Sequence, residues 1–62
     1  MKRIFNYIND IGYHKQLVVE DIPENDELHV ELFAYGELCG VGDMTREKIN
    51  QYLEHYGVKE RI

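Results

Sequence analysis

The alternation of apolar and polar residues from Leu28 to Val41 constrains the fold of this chain more than any other feature. A single strand would divide the apolar residues of this segment between its two faces. A hairpin with a two-residue loop at Gly36 and Glu37 gathers most of them on one face, because residues that pair across two strands share a face. Gly36 suits the first position of a type II′ loop, which requires a positive φ. We therefore predict a hairpin of residues 28–35 and 38–42.

This hairpin predicts which side chains face the core. Its loop pairs Tyr35 with Leu38, and Leu32 with Val41. One face is then apolar and is predicted to be buried, with Leu28, Val30, Leu32, Ala34, Cys39 and Val41. The other face is predicted to be acidic and aromatic, with His29, Glu31, Phe33, Tyr35, Glu37 and Leu38.

Residues 2–8 fit two kinds of secondary structure. Ile4, Ile8 and Ile11 have the spacing of a helix face. However, Lys2 and Arg3 would lie at the positive end of a helix dipole, and the Ile, Phe and Tyr residues favour a strand. We predict a strand, followed by a turn at residues 9–12, an extended segment at residues 13–22 and a second turn at residues 23–26.

A helix is predicted over residues 45–56. Thr45 is a good N-cap, and Gly57 can adopt the left-handed conformation that ends a helix. One apolar stripe runs along the predicted helix, formed by Ile49, Tyr52, Leu53 and Tyr56. Beyond it, Val58 and Ile62 either pair as a last strand or fold back onto the core. The predicted architecture of residues 1–62 is a single α+β domain, in which a small antiparallel sheet of three to four strands carries one C-terminal helix across one face.

The net charge of −5 is unevenly distributed. Residues 20–43 contain eight acids and no Lys or Arg, whereas the segments before and after them have net charges of +2 and +1. A nucleic-acid-binding protein needs a basic surface, so this distribution argues against direct binding of nucleic acid and favours a positively charged partner.

No pattern in the sequence indicates catalysis, a cofactor or a metal site. The three His residues are scattered, the Gly spacing matches no phosphate-binding loop, and the lone Cys39 is predicted to pack in the core. We expect a cytoplasmic protein that spans no membrane, since no apolar run approaches the length of a membrane helix. A chain of this size buries little surface alone, so a second subunit is expected to supplement its stability, giving a homodimer.

The acidic segment has two interpretations. In the first, its carboxylates only keep a sheet edge solvated. In the second, Glu27, Glu31 and Glu37 form a spaced row that replaces the phosphates of DNA in a basic cleft. In that case three apolar side chains beside the row would anchor the partner, namely Phe33, Tyr35 and Leu38. Burial of those three under the N-terminal segment is the competing expectation.

The succession of strands, one helix and a short basic tail in a small acidic chain resembles the compact uracil-DNA glycosylase inhibitors of tailed bacteriophages. The closest local similarity is the run from Leu53 to Gly57, which is similar to a helical aromatic-Glu-x-x-Tyr-Gly run of that family. It departs from the family in having Leu at the first position and a Glu–Tyr spacing that is one residue shorter. The resemblance implies a dimeric DNA mimic, and it adds Glu54 and Tyr56 to the residues expected to bind the partner.

These observations lead to one main functional prediction and one alternative. The main prediction is a phage-encoded, non-catalytic inhibitor that occupies the nucleic-acid-binding surface of a host DNA-processing enzyme, such as uracil-DNA glycosylase, as a DNA mimic. The alternative is a structural or regulatory subunit that self-associates through exposed aromatic residues.

Overall fold

A computed structural model describes residues 2–20 and 26–62 of the chain. These residues form four strands and one helix, which are β1 (Lys2–Ile8), β2 (His14–Glu20), β3 (Glu27–Ala34), β4 (Glu37–Thr45) and α1 (Arg46–His55). The strands make one antiparallel sheet in the spatial order β1, β2, β3, β4. The predicted α+β class, with a small antiparallel sheet and one C-terminal helix, is confirmed.

The N-terminal segment is a strand, as predicted, and it enters a tight turn. The side-chain oxygen of Asn9 accepts hydrogen bonds from the backbone N–H groups of Ile11, at 3.1 Å, and Tyr13, at 2.9 Å. Gly12 has a φ of 85°, which few other residues adopt without strain. The predicted turn at residues 9–12 is confirmed. β2 follows it, while the predictions for residues 21–25 lie outside the described residues.

One face of the sheet, here called the covered face, packs against α1 and forms the core. The buried residues of this core are Phe5, Tyr7, Leu17, Val19, Leu28, Val30, Ile49 and Leu53. Ile49 and Leu53 of the helix are completely buried. Burying each such aliphatic side chain contributes about 1.5–3 kcal/mol, so the helix stripe predicted from the sequence holds the two layers together.

Capping residues fix both ends of α1. The Thr45 hydroxyl accepts a hydrogen bond from the Lys48 N–H at 3.2 Å, as an N-cap side chain should. At the other end Gly57 has a φ of 75°, and its N–H donates to the carbonyl of Glu54 while the N–H of Val58 donates to that of Leu53. These two bonds make a Schellman motif, which turns the chain back towards the core.

The C-terminal residues fold back onto the core and do not form a strand. Val58 and Ile62 are half-buried and pack against the core cluster. The Asn50 side chain holds the chain end, accepting from the Ile62 N–H at 3.0 Å and donating to its carbonyl at 3.4 Å. Of the two predicted alternatives for this segment, the structure therefore shows the second.

The hairpin of β3 and β4 is confirmed, but its predicted loop was wrong by one residue. The loop consists of Tyr35 and Gly36, which have φ values of 52° and 82°. Two consecutive positive φ values define a type I′ turn, so Gly36 occupies the second loop position instead of the first. Ala34 consequently pairs with Glu37, and Phe33 pairs with Leu38.

A bulge at Cys39 shifts the register again, so that Leu32 pairs with Gly40 and Val30 pairs with Gly42. The prediction that Cys39 and Val41 face the core was therefore wrong, since both are exposed. The predicted register would have placed Asp43 opposite Val30 on the covered face, where burying its carboxylate would be costly. The observed register places Asp43 on the other side of the sheet and leaves only glycine hydrogens opposite Val30.

Candidate protein-binding face

The second side of the sheet, here called the open face, carries no helix. Cross-strand pairing places its side chains in rows, because paired residues share a face. One row contains Lys2, Glu20, His29 and Asp43, and the next contains Ile4, Val18, Glu31 and Val41. A third row contains Asn6, Gln16, Phe33 and Leu38, and the last pairs Ile8 with His14.

The exposed apolar side chains of the open face lie on its two outer strands, with Ile4 and Ile8 on β1 and Leu38 and Val41 on β4. The exposed fractions are 56% for Ile4, 55% for Ile8, 54% for Leu38 and 62% for Val41. Of the described side chains on this face, Val18 is the buried one, because its neighbours on the adjoining strands shield it. Isolated apolar residues on a surface are ordinary, but apolar side chains collected on one sheet face are typical of an interaction surface.

One end of the open face is acidic. His29 lies between two carboxylates, with its Nδ1 atom 3.5 Å from Oδ1 of Asp43 and its Nε2 atom 4.0 Å from Oε2 of Glu31. Glu27 follows the same alternation of β3 and is exposed. Among the described residues of this face, four carboxylates (Glu20, Glu27, Glu31 and Asp43) are accompanied by one cationic side chain, that of Lys2, which gives the described face a net charge of −3.

The carboxylate of Glu20 is incompletely paired. Its Oε2 atom is shielded from solvent and has no hydrogen-bond partner in the described part of the chain. A buried acceptor without a donor is costly, and a carboxylate accepts most strongly from a cationic donor. Glu20 lines a cleft of about 270 Å³ on the open face, together with Lys2, Val18, His29 and Glu31. The arrangement at this end of the face favours an incoming Lys or Arg side chain.

The opposite end of the open face is aromatic. Tyr35, at the tip of the β3–β4 loop, is 66% exposed and packs edge-on against two rings. The ring centroids lie 5.9 Å apart for Tyr13 and Tyr35, and 6.0 Å apart for His14 and Tyr35. These contacts position the Tyr35 ring while leaving most of it available to a partner.

The structure brings together only part of the partner-binding set predicted from the sequence. Glu27, Glu31, Phe33 and Leu38 share the open face, and Tyr35 lies at its end. The expected burial of the aromatic cluster under the N-terminal segment does not occur, because β1 lies at the far edge of the sheet. Glu37 pairs with Ala34 and so falls on the other side of the sheet, which breaks the predicted row of three Glu residues.

The two residues implied by the family resemblance also lie away from the open face. Glu54 is exposed on α1, with its Oε2 atom 3.9 Å from Nη2 of Arg61. Tyr56 is half-buried at the C-terminal end of the helix and stacks on Tyr7 with a centroid distance of 4.7 Å. These two residues therefore do not form one surface with Glu27 and Glu31.

Sequence reasoning missed Ile4, Ile8, Val41 and Asp43 as residues of this face. β1 offered a signal, because Ile4 and Ile8 alternate with Phe5 and Tyr7, so the strand is apolar on both sides. A strand with apolar side chains on both faces is typical of one that packs against other groups on both faces. For Asp43, the signal was that the predicted register placed a carboxylate among core residues.

The titratable groups with shifted pKa values lie on the covered side and are structural. The hydroxyls of Tyr7 and Tyr52 are hydrogen-bonded to each other, and both rings pack with Tyr56. Burial raises the pKa of Tyr7 above its ordinary value, and the hydrogen bond to Tyr52 raises it further. Burial also raises the pKa of Tyr52, with the bond to Tyr7 acting in the opposite direction. Both groups are therefore neutral at physiological pH and act as packing and hydrogen-bonding groups.

No group of three or more His, Cys, Asp or Glu side chains within residues 2–20 and 26–62 is arranged to hold a metal ion. In the same residues, no helix has the length and apolar character needed to cross a membrane.

Comparisons with protein-family models, with curated proteins and with solved structures found no match to this chain.

Proposed function

We propose that this protein is a small, non-catalytic binding protein that uses the acidic and apolar open face to occupy a basic surface of another protein. In the form predicted from the sequence, the partner is a host DNA-processing enzyme, such as uracil-DNA glycosylase, and the carboxylates take the place of DNA phosphates. The observation that carries this proposal is the combination, on one uncovered sheet face, of a net charge of −3 with four largely exposed aliphatic side chains.

Charge and apolar surface contribute differently to such a complex. Exposed ion pairs are worth about 0.2–1 kcal/mol each and mainly accelerate association. Buried apolar and aromatic anchors supply most of the affinity and slow dissociation. The rows of the open face place Val41 and Leu38 within one or two rows of Glu31 and Asp43. A single partner surface can therefore contact both kinds of group.

The proposal is tested by measuring inhibition of purified DNA-processing enzymes, beginning with uracil-DNA glycosylase, at low and high ionic strength. We expect stoichiometric inhibition that weakens at high ionic strength, because salt screens charges across an interface. The triple variant Glu27→Gln, Glu31→Gln, Asp43→Asn should associate more slowly and show a flatter dependence on salt.

A matched control separates the open face from net charge alone. The triple variant Asp10→Asn, Glu47→Gln, Glu60→Gln removes the same three charges from exposed positions in the first turn, the helix and the tail. It should inhibit like the parent protein. Equal effects of the two triple variants would show that only the total charge matters, and full inhibition by the open-face variant at low salt would contradict the proposal.

A second candidate function is self-association through the same face. The exposed Ile4, Ile8, Leu38 and Val41 favour it, because a second copy would remove them from water. Light scattering and the dependence of the urea midpoint on protein concentration test it, since the stability of a dimer rises with concentration. A homodimer whose association is lost in Val41→Ser but retained in the open-face triple variant would favour this candidate over binding of a basic partner.

A further inference from the structure

The outer edge of β4 offers a second kind of contact. β4 is the last strand of the sheet, and no described strand pairs with its outer side. The backbone N–H and C=O groups that point outwards from an edge strand can pair with an added strand. The other edge strand, β1, is less accessible, because the Arg3 side chain donates to the carbonyl of Arg61 and brings the C-terminal tail beside it.

An apolar groove opens next to this edge on the covered face. It has a volume of about 240 Å³, with Gly40 and Gly42 of β4 forming part of it, and its apolar lining comes from Leu17, Val30, Leu32, Val41, Met44 and Tyr52. A Cβ atom at either glycine would meet nothing within 4 Å, so packing within the chain does not require glycine at these positions. Neither glycine has a positive φ, so backbone conformation does not require it either. The two glycines leave room for an apolar side chain from outside the chain.

The acidic residues near β4 indicate which kind of strand can pair with its outer edge. The charged residues of β4 are Glu37, which falls on the covered side, and Asp43, which lies on the open face with Glu31 of the neighbouring strand close to it. A second copy pairing through β4 would add its own acids to these, with no Lys or Arg on its β4 to offset them, and like charges on paired strands are destabilising. A strand with Lys or Arg on that side would be attracted instead.

We propose that β4 accepts an extended basic segment of the partner as a fifth strand of the sheet. Alternate side chains of such a strand point to opposite faces. An apolar residue would enter the groove over Gly40 and Gly42, while the Lys or Arg residues on either side of it would reach Asp43 and Glu31. This inference rests on the proposed function in requiring a basic partner, and it adds the conformation and the sequence pattern of the bound segment.

The experiment uses the full chain and two short synthetic peptides of identical composition. One peptide alternates Lys with Leu, and the other has all its Leu residues followed by all its Lys residues. Binding is measured by fluorescence anisotropy, and strand addition by protection of the amides of residues 40–44 from hydrogen exchange. The alternating peptide should bind at least about tenfold more tightly, since only it can place an apolar side chain in the groove and basic side chains opposite the acids.

Substitution within the groove gives the sharper result. Gly42→Val should fold, because a Cβ atom at this position meets nothing within 4 Å and a β-branched residue suits a strand. It should weaken binding of the alternating peptide about tenfold or more by filling the groove. Cys39→Val is the control, since Cys39 lies on the same strand but does not line the groove. It should change binding less than twofold.

Three outcomes would overturn the inference. They are equal binding of both peptides, unchanged binding to the Gly42→Val variant, and binding without protection of the β4 amides. None of them decides the proposed function, which the enzyme assays test with the open-face triple variant. If the protein does not inhibit any enzyme in those assays but the alternating peptide still adds to β4, the proposed function is contradicted and strand addition at β4 is retained.

Discussion

The two faces of the sheet are built from the same strands but differ in composition and packing. On the covered face, Val19 and Leu28 are almost completely buried, as are Ile49 and Leu53 of the helix that packs on it. On the open face, Ile4, Ile8, Leu38 and Val41 are all more than half exposed. The covered face has the arrangement expected of a core that stabilises the fold, whereas the apolar side chains of the open face add little to the stability of the isolated chain.

The covered and open faces also differ in charge. No polar or charged residue among those described is buried in the core, whereas four carboxylates crowd one end of the open face around a single His and a single Lys. Like charges on neighbouring strands are destabilising, and exposed aliphatic side chains gain nothing from water. Features that lower stability on one face are typical of surfaces kept for binding.

The largest predicted difference between the faces comes from one substitution made on each of them. Leu53→Ala, in the core, should lower the free energy of unfolding by about 2–5 kcal/mol, because it removes apolar contacts and leaves a cavity. Leu38→Ala, on the open face, should change it by no more than about 0.5 kcal/mol. Urea denaturation of both variants checks this. Similar losses at the two positions would mean that the open face is also part of the core.

The next effect concerns the helix that covers the sheet. Thr45→Ala removes the oxygen that accepts from the Lys48 N–H and should cost about 1 kcal/mol. Thr45→Ser is the control, because its hydroxyl can make the same bond and should retain most of the stability. Thermal unfolding measures both variants. An unchanged melting temperature in Thr45→Ala would show that the cap contributes nothing.

A comparable effect should come from the tyrosine pair that ties β1 to the helix. Tyr7→Phe removes the hydrogen bond between Tyr7 and Tyr52 and should cost about 0.5–1.5 kcal/mol near neutral pH. Tyr13→Phe is the control, because Tyr13 is half-exposed and lies away from the helix. Urea denaturation at neutral pH measures the loss, and an equal effect of the two substitutions would contradict a role for the pair.

The same pair predicts how stability changes at alkaline pH. The folded chain raises the pKa of Tyr7 above the ordinary value of 10.0, so the unfolded chain loses this proton first. The stabilisation is complete below pH 10 and is lost as the pH rises above it. Urea denaturation across this range should show a shallower decline for Tyr7→Phe than for the parent protein. Parallel declines would contradict the assignment.

The β3–β4 loop gives a smaller effect. A type I′ turn places Tyr35 in the left-handed region, which is unfavourable for a bulky side chain, and Asn is well suited to that position before Gly. Tyr35→Asn should therefore raise the free energy of unfolding by up to about 1 kcal/mol. Gly36→Ala should lower it, because Gly36 has a φ of 82°. Opposite signs for the two substitutions are the expected result, and a loss in both would show that the Tyr35 ring contacts stabilise the loop.

Sequence patterns predicted those parts of the fold that depend on local signals. The helix from Thr45, its apolar stripe and its end at Gly57 follow from capping and periodicity within a few residues. The position of the hairpin loop did not, because Gly36 fits either position of a primed turn that needs a positive φ. The bulge at Cys39 then shifted every later pair by one residue, so that Leu32 pairs with Gly40 and not with Val41 as predicted. In the sequence, the one signal against the predicted register was the cost of burying the Asp43 carboxylate on the covered face.

The candidate site was less predictable than the fold for the same reason. Glu31 and Phe33 were assigned correctly to the face away from the core, because alternation along one strand is local. The different register places Glu37 on the covered side, although it was predicted on the open face. It places Asp43 on the open face, although the predicted register put it opposite Val30 on the covered face. The contribution of β1 was missed because Ile4 and Ile8 meet the hairpin residues only through the order of strands in the sheet, which no local pattern specifies.

We propose that the open-face carboxylates serve a partner and not the stability of the chain. The decisive measurement is the free energy of unfolding of the Glu27→Gln, Glu31→Gln, Asp43→Asn variant at low ionic strength, beside that of the parent protein. The open-face variant should be more stable than the parent by about 0.5 kcal/mol, because repulsion between neighbouring carboxylates is removed. A loss of more than about 1 kcal/mol in the variant would show instead that these acids stabilise the fold.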